Sequence, residues 1–169
     1  MFSATSRVLF SRLSTSSRLI SSPLHSSLPI SRLPSRIPYQ FVTMSTGLDI
    51  VHTAGAAQPV GPYSQAIKVN GQIFLSGQIP LTKDGVLIDG SVTEKTRLCC
   101  ENIKAVVEEA GSSVEKIFKV TVLLADMADF DEMNQEYAKF FAHKPARSCF
   151  AVKQLPKNVP VEIECIALA

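Results

Sequence analysis

The chain has 169 residues and a formal net charge of +2, from 17 basic and 15 acidic residues. That length suits one domain with an extension, and no stretch of the sequence is long enough to span a bilayer. Residues 1–43 hold five arginines but no lysine or acidic residue, which leaves 12 basic against 15 acidic residues, or −3, in the remainder. The positive charge therefore belongs to the N-terminal segment and makes nucleic acid an unlikely partner of the folded part.

The N-terminal segment is predicted to be a targeting sequence. On a helical wheel, Arg7 and Arg18 lie opposite an apolar side that includes Leu9 and Leu13. An Arg-rich, Ser-rich start without acidic residues is typical of a transit peptide, and the apolar run of a secretory signal is absent from the sequence. We expect residues 1–47 to be a mitochondrial transit peptide and linker that directs the protein to the matrix. A disordered terminus is the alternative, and a start at Met44 would give a cytosolic form.

The folded part is predicted to begin near residue 48 with a hairpin followed by a helix. Apolar alternation on both sides of Asn70-Gly71 is a strong hairpin signal. Ser91 and Glu94 have the spacing of a capping box that begins a helix, and Gly111 is placed to end it.

The second half predicts a buried strand, a second helix and two final strands. The nearly continuous apolar run at 117–124 indicates the buried strand, and Asp129 is placed to cap the helix. The final strands are expected at about 147–153 and 159–168. The apolar side of the second helix is predicted to comprise Phe130, Met133, Tyr137, Phe140 and Phe141.

This order of elements predicts an α+β sandwich, in which one sheet carries two helices on a single face. The other face of such a sheet needs cover, and self-association is the simplest way for a domain of this size to supply it.

The cysteines and histidines do not predict a metal site. Cys99, Cys100, Cys149 and Cys165 lack CxxC spacing, and the three histidines are isolated in the sequence. Cys99 and Cys100 are interpreted as core residues. Cys149 has no histidine in an obvious partner position, so covalent catalysis is disfavoured.

Two charged positions near the C-terminus are candidates for chemistry. Arg147, at the start of a strand, can hold a carboxylate through two parallel hydrogen bonds, although a surface arginine or a structural ion pair is the commoner outcome for such a residue. Glu162 lies on the same strand face as Glu164, Ile166 and Leu168. A face that mixes acids with apolar residues indicates a subunit boundary, where a carboxylate can orient or activate water.

Five further residues are weaker candidates on their own. Tyr63 follows Gly-Pro in a turn and can close a pocket, and Ser76-Gly77 allows a close backbone approach to a ligand. Asn134 lies beside the apolar stripe of the second helix, and Cys149 shares the strand face of Arg147. Each also has a purely structural interpretation, as loop packing, a turn, a surface amide or core.

Four ordered motifs, which include Tyr63, Ser76-Gly77, Arg147 and Glu162, resemble the reactive intermediate deaminase (Rid) family, specifically its archetypal imine deaminase subgroup. The resemblance covers about residues 48 to 168, and the short approach to Arg147 is similar to fungal members. The motifs are Gly61-Pro62-Tyr63-Ser64-Gln65-Ala66, Phe74-Leu75-Ser76-Gly77-Gln78, Pro145-Ala146-Arg147-Ser148, and Leu155-Pro156-Lys157 with Glu162-Ile163-Glu164.

The resemblance implies a chorismate-mutase-like fold in a domain at residues 48–169, and a homotrimer with active sites between subunits. It implies cofactor-independent hydrolysis of 2-iminobutanoate and 2-iminopropanoate, which enzymes such as threonine dehydratase release. By the same resemblance, Arg147 binds the substrate carboxylate and Glu162 positions water. The implied pocket residues are Tyr63, Ser76, Gly77, Asn134 and Cys149, the last through its backbone.

Two other functions remain open from the sequence. The family has been linked to translation inhibition and endoribonuclease activity, and Lys144, Lys153 and Lys157 form a local basic patch. The third hypothesis is a non-catalytic trimer that binds a small carboxylate or a mitochondrial partner.

Overall fold

A computed structural model describes residues 47–169, in which six strands form one sheet and two helices pack against it. The predictions for the targeting segment and for Met44 fall outside the described residues. In chain order the elements are β1 Asp49–Val51, β2 Ala66–Val69, β3 Gln72–Gln78, α1 Val92–Glu109, β4 Ile117–Leu124, α2 Phe130–Phe140, β5 Ala146–Ala151 and β6 Val161–Leu168. Neither helix is long and apolar enough to cross a membrane, within the range 47–169.

The sheet is mostly antiparallel, as expected, with the strand order β1-β2-β3-β6-β4-β5. Only β4 and β5 pair in parallel, and α2 forms the crossover between them. The predicted hairpin is confirmed: Asn70 and Gly71 have φ angles of 50° and 74°, which suit a two-residue hairpin turn. The last strand, β6, lies between β3 and β4 and so holds the two halves of the sheet together.

Helix α1 begins with the predicted capping box. The Ser91 hydroxyl accepts a hydrogen bond from the backbone N–H of Glu94, and the Glu94 carboxylate accepts one from the backbone N–H of Ser91 at 2.9 Å. These bonds satisfy amides that lack partners at a helix start. Gly111 follows the helix with a φ of 82°, a conformation that favours glycine.

The cap predicted for the second helix was wrong. Asp129 already has near-helical dihedrals and its side chain caps nothing. Asp126 performs that role instead, because its carboxylate accepts a hydrogen bond from the N–H of Ala128 at 2.9 Å. A short 3₁₀ turn at Met127–Asp129 then leads into α2. Two aspartates three residues apart are both suitable caps, and the sequence alone does not distinguish them.

The orientation of α2 is set by packing and by a buried carboxylate. Met133, Tyr137 and Phe141 are buried, whereas the other two residues of the predicted stripe are half-buried. The Glu136 side chain is 2 % exposed and pairs with the Nε of Arg97 on α1 at 2.7 Å. Because Arg97 belongs to α1, this contact ties α2 to α1 and limits rotation of α2 about its axis.

The inner face of the sheet is buried against the helices. On β6 the buried residues alternate with an outer row that comprises Glu162, Glu164, Ile166 and Leu168, as predicted. Cys99 and Cys100 are core residues, again as predicted. Strand β4 is buried on its inner face only, since Phe118 is 40 % exposed. In a single chain, the apolar side chains on its outer face are therefore at the molecular surface. The sequence interpretation, which treated this strand as buried, did not anticipate that exposure.

Apolar side chains form a row across this outer face. The strand register aligns Ile50 with Ile67, Ile67 with Phe74, and Phe74 with Ile166. Ile50 is 71 % exposed and Phe74 is 42 % exposed. A contiguous apolar strip of this kind on one sheet face is characteristic of an interaction surface.

Candidate active site

The side chain of Arg147 lies on the helix side of the sheet, where aromatic rings flank it. Arg147 is opposite the buried Val120 in the β4–β5 register, which places both on the inner face. Its guanidinium carbon lies 4.6 Å from the centre of the Tyr137 ring and 5.7 Å from that of Phe130. These are cation–π distances, so α2 holds the cation in place without neutralising it.

Asn134 and Cys149 complete this group, which we call the Arg147 cluster (Phe130, Asn134, Tyr137, Arg147 and Cys149). The Nη1 of Arg147 donates a hydrogen bond to the Oδ1 of Asn134 at 2.7 Å. Cys149 follows Arg147 by two residues and aligns with the buried Val122. Burial raises the pKa of the Cys149 thiol, and the nearby Arg147 charge opposes that rise only in part. The thiol is therefore protonated at neutral pH and is a poor nucleophile.

Glu162 lies in a separate groove on the outer face. This groove, which we call the Glu162 groove, has a volume of about 370 Å³. It brings together four predicted site residues with four that were not predicted. Its lining comprises Tyr63, Ser76, Gly77 and Glu162, together with Val60, Ile79, Pro156 and Glu164.

The carboxylate of Glu162 lies directly against the backbone of Gly77. A Cβ atom at position 77 would stand 1.8 Å from the Oε1 of Glu162, so no other residue fits there without moving the carboxylate. Burial raises the pKa of Glu162, and the charge of Glu164 raises it further. Partial burial next to a second carboxylate makes this glutamate a stronger proton acceptor than an isolated one.

Ser76 and Tyr63 are held by the loop that precedes β2. The Ser76 hydroxyl donates to the carbonyl of Ser64 at 2.7 Å, and the Tyr63 hydroxyl accepts from the N–H of Val60 at 3.2 Å. The Tyr63 side chain remains 45 % exposed at the mouth of the groove. In this arrangement the Ser76 hydroxyl fixes the loop, and the exposed Tyr63 ring is free to cover a ligand.

The predicted site residues thus form two groups on opposite faces of the sheet. Arg147 aligns with Val120 of β4, whereas Glu162 aligns with Leu123. Positions three residues apart on a strand point to opposite faces. A single chain therefore does not bring the arginine and the glutamate to one pocket.

Sequence reasoning missed three side chains that support the site. Phe130 and Tyr137 were interpreted as core. However, Phe130, Asn134 and Tyr137 occupy positions i, i+4 and i+7 of α2, which places all three on one helix face. Gln65, which is 2 % exposed, was quoted only as part of a motif. Its amide donates to the carbonyls of Thr53 and Ala57 and so anchors the loop that carries Tyr63.

The described residues contain no group of three or more histidines, cysteines or acids that would hold a metal ion. The fold and these two groups of residues define a small α+β protein with an oriented arginine on one face of its sheet and a half-buried carboxylate on the other. Residues 53–169 match the family described as Endoribonuclease L-PSP, and the chain belongs to that family.

Similar proteins come from several kingdoms. "Protein mmf1, mitochondrial" of Schizosaccharomyces pombe is 53 % identical over 64 % of this chain and 68 % of its own length. The structure of Escherichia coli TdcF with bound serine has a TM-score of 0.69 at 41 % identity, covering 72 % of this chain and 98 % of TdcF. A Yersinia pestis structure, described as the conserved Rid protein family member YyfA, has a TM-score of 0.70 at 39 % identity and covers 73 % of this chain and all of its own. These matches confirm the family and the fold that the resemblance implied.

Proposed function

We propose that the protein is a cofactor-independent deaminase that hydrolyses 2-imino acids, in particular 2-iminobutanoate and 2-iminopropanoate, to 2-oxo acids and ammonia. The observation that carries this proposal is the set of contacts that Arg147 makes. One of its N–H groups is bound to Asn134, its faces are covered by aromatic rings, and it makes no ion pair with an acid among residues 47–169. A positioned guanidinium with free donors is suited to a carboxylate ligand. The serine bound to the similar TdcF is itself a carboxylate of comparable size.

The proposed reaction adds water across the C=N bond of the bound imino acid. Arg147 fixes the carboxylate, while Glu162 orients a water molecule and accepts its proton as the oxygen attacks C2. That proton passes to the nitrogen to give a carbinolamine, and the remaining hydroxyl proton follows it to the nitrogen as the C–N bond breaks, the C=O bond forms and ammonia leaves. Fixing a planar substrate beside an oriented water converts a bimolecular step into an effectively unimolecular one.

We further propose that the site is completed in a homotrimer, with the Arg147 cluster of one subunit facing the Glu162 groove of the next. The apolar row on the outer face supplies a surface for this contact, and it runs beside the groove that contains Glu162. Closed symmetry would then give each trimer three equivalent sites.

The proposed compartment is the mitochondrial matrix, reached by means of a transit peptide within residues 1–47, with a start at Met44 as the route to a cytosolic form. The relative named mmf1 carries "mitochondrial" in its name, which supports this proposal. The reactive imines would come from a pyridoxal-phosphate enzyme such as threonine dehydratase. A fusion of the N-terminal segment to a fluorescent reporter that stayed cytosolic would contradict the proposal.

The test of the proposed function is Arg147→Ala in an assay coupled to threonine dehydratase. We expect wild-type protein to accelerate 2-oxobutanoate formation from the released imine, and Arg147→Ala to lose about 10²-fold or more in kcat/KM. Arg147→Lys, which keeps the charge but not the planar fork, should fall between the two. Wild-type turnover by Arg147→Ala would show that the arginine is not the carboxylate ligand.

Gly77→Ala is expected to abolish most activity with little loss of stability. The new methyl group would displace the carboxylate of Glu162, which is the flexible end of a side chain and can move aside at low cost. We therefore expect kcat to fall on the order of 10²-fold while the melting temperature changes by only a few degrees. In a double-mutant cycle, Gly77→Ala should cost nothing further when Glu162 is already alanine. Additive losses would mean that Gly77 acts independently of Glu162.

An RNA-directed function is the competing hypothesis, in keeping with the family description. It predicts binding that weakens steeply with salt and depends on Lys144, Lys153 and Lys157. RNA cleavage by a protein that leaves 2-iminobutanoate untouched would favour it over the deaminase, whereas binding of a carboxylate without turnover would favour a non-catalytic trimer.

A further inference from the structure

We propose that Tyr137 is a positioning residue for the carboxylate-binding arginine, and that its aromatic ring, rather than its hydroxyl group, performs this role. The inference rests on the proposed function and assigns the α2 surface a part in substrate affinity. Tyr137 would touch Arg147 and not the substrate.

The contacts of Arg147 leave its carboxylate-binding edge open. A guanidinium has five N–H groups, and among residues 47–169 the one side-chain hydrogen bond of Arg147 runs from Nη1 to Asn134 at 2.7 Å. The Tyr137 ring covers one face, with its centre 4.6 Å from the guanidinium carbon. A ring face and one amide oxygen fix the plane and the rotation of the cation. The edge formed by Nε and Nη2 then remains available for a bidentate carboxylate.

The hydroxyl group of Tyr137 does not take part in this arrangement. It is buried and has no hydrogen-bond partner within residues 47–169. Burial raises the pKa of Tyr137 to about 12, although the Arg147 charge opposes this shift, so the hydroxyl stays neutral at working pH. The interaction with Arg147 is therefore that of a cation with a neutral ring, and phenylalanine should reproduce it.

Two further contacts help to hold the Tyr137 ring in place. The Phe141 ring lies 4.4 Å from that of Tyr137, centre to centre. The adjacent Glu136 is bound to Arg97 of α1, which fixes the rotation of α2 about its axis. Adjacent helix positions differ by about 100°, so anchoring Glu136 toward α1 directs Tyr137 toward β5. The oriented arginine is thus a consequence of how the two helices pack.

The experiment compares Tyr137→Leu with Tyr137→Phe in the full-length protein. We expect Tyr137→Leu to raise both the KM for 2-iminobutanoate and the Kd for 2-oxobutanoate, measured by calorimetry, by about tenfold, with kcat within about twofold of wild type. Tyr137→Phe should restore both constants. Phe140→Leu is the matched control, because it makes a similar change on α2 at a ring that is not one of the two flanking Arg147, and it should leave the Kd unchanged.

Each outcome of this experiment either supports or overturns the inference about Tyr137. Wild-type affinity in Tyr137→Leu would overturn the inference alone, and a defect in Tyr137→Phe equal to that of Tyr137→Leu would show that the hydroxyl acts after all. If Tyr137→Leu fails to fold, Tyr137→Met replaces it, because an unbranched apolar side chain fills the space without an aromatic face. An increase of several-fold in Kd is then expected, and an unchanged Kd would refute the proposal. If the wild-type protein neither binds 2-oxobutanoate nor turns over the imine, the proposed function fails and this inference fails with it.

Discussion

Mixed oligomers of two inactive variants are expected to recover about a quarter of the wild-type activity. The variants are Arg147→Ala and Glu162→Gln, which would be co-refolded or co-expressed in equal amounts. Each should be nearly inactive by itself, because one lacks the carboxylate ligand and the other lacks the group that orients water. Activity in the mixture requires a site that takes Arg147 from one chain and Glu162 from another.

The recovery follows from the geometry of the sheet. Arg147 aligns with the buried Val120 and contacts rings of α2, whereas Glu162 aligns with Leu123 and lies against Gly77 on the opposite face. In a cyclic trimer every mixed assembly has one junction at which both functional side chains are intact. Random assembly makes about three quarters of the trimers mixed, and each has about one third of its sites restored.

Two controls make the result specific. Mixing Arg147→Ala with a variant that carries both substitutions should restore nothing, because no chain then supplies Arg147. Mixing the purified variants without dissociation should also restore nothing if subunits exchange slowly. A mixture that stays inactive despite proven mixed assembly would contradict the intersubunit site, and recovery well above one quarter would indicate that the two variants do not assemble at random.

Local features of the fold were predictable from the sequence, and long-range ones were not. The hairpin at Asn70-Gly71 and the capping box at Ser91 depend on neighbouring residues, and both were confirmed. The insertion of β6 between β3 and β4 depends on pairing between distant segments, which local patterns do not encode. The cap of α2 was assigned to the wrong aspartate for a related reason, because the 3₁₀ turn before it depends on tertiary packing.

The candidate site also combines features that were predictable from the sequence with features that were not. Arg147 and Glu162 were identifiable because a charged residue on a strand is unusual and because the motifs around both resemble one family. Their location on opposite faces was not apparent, since it depends on the register of β4 with both of its neighbours. The contact between the Tyr137 ring and Arg147 was also not predictable, because a tyrosine that packs against an arginine has the same helical spacing as one that fills a core.

Glu162→Gln is expected to abolish most of the activity and yet to stabilise the folded chain at neutral pH. Burial, reinforced by the charge of Glu164, raises the pKa of Glu162 above its ordinary value of 4.5. The ionised carboxylate is therefore less favourable in the folded protein than in the unfolded chain. This penalty applies at pH values above the folded-state pKa and disappears as the pH falls below the ordinary value.

Glutamine has the same shape without the charge, so the melting temperature of Glu162→Gln should exceed that of wild type at pH 7 and converge with it near pH 4. The rate constant kcat should fall on the order of 10²-fold, because the proton acceptor is lost. A lower melting temperature at pH 7 would mean that Glu162 is ion-paired in the assembled protein, most simply with Arg147 of a neighbouring subunit.

Glu164→Gln provides the matched control because it removes the neighbouring charge and leaves Glu162 in place. The pKa of Glu162 should then fall toward its ordinary value, since one of the two causes of its rise is gone. If Glu162 must be ionised to accept a proton, kcat/KM declines as the pH drops through its pKa in the free enzyme. The acidic limb of the pH–rate profile should therefore move to lower pH in Glu164→Gln, and an unmoved limb would assign that limb to a different group.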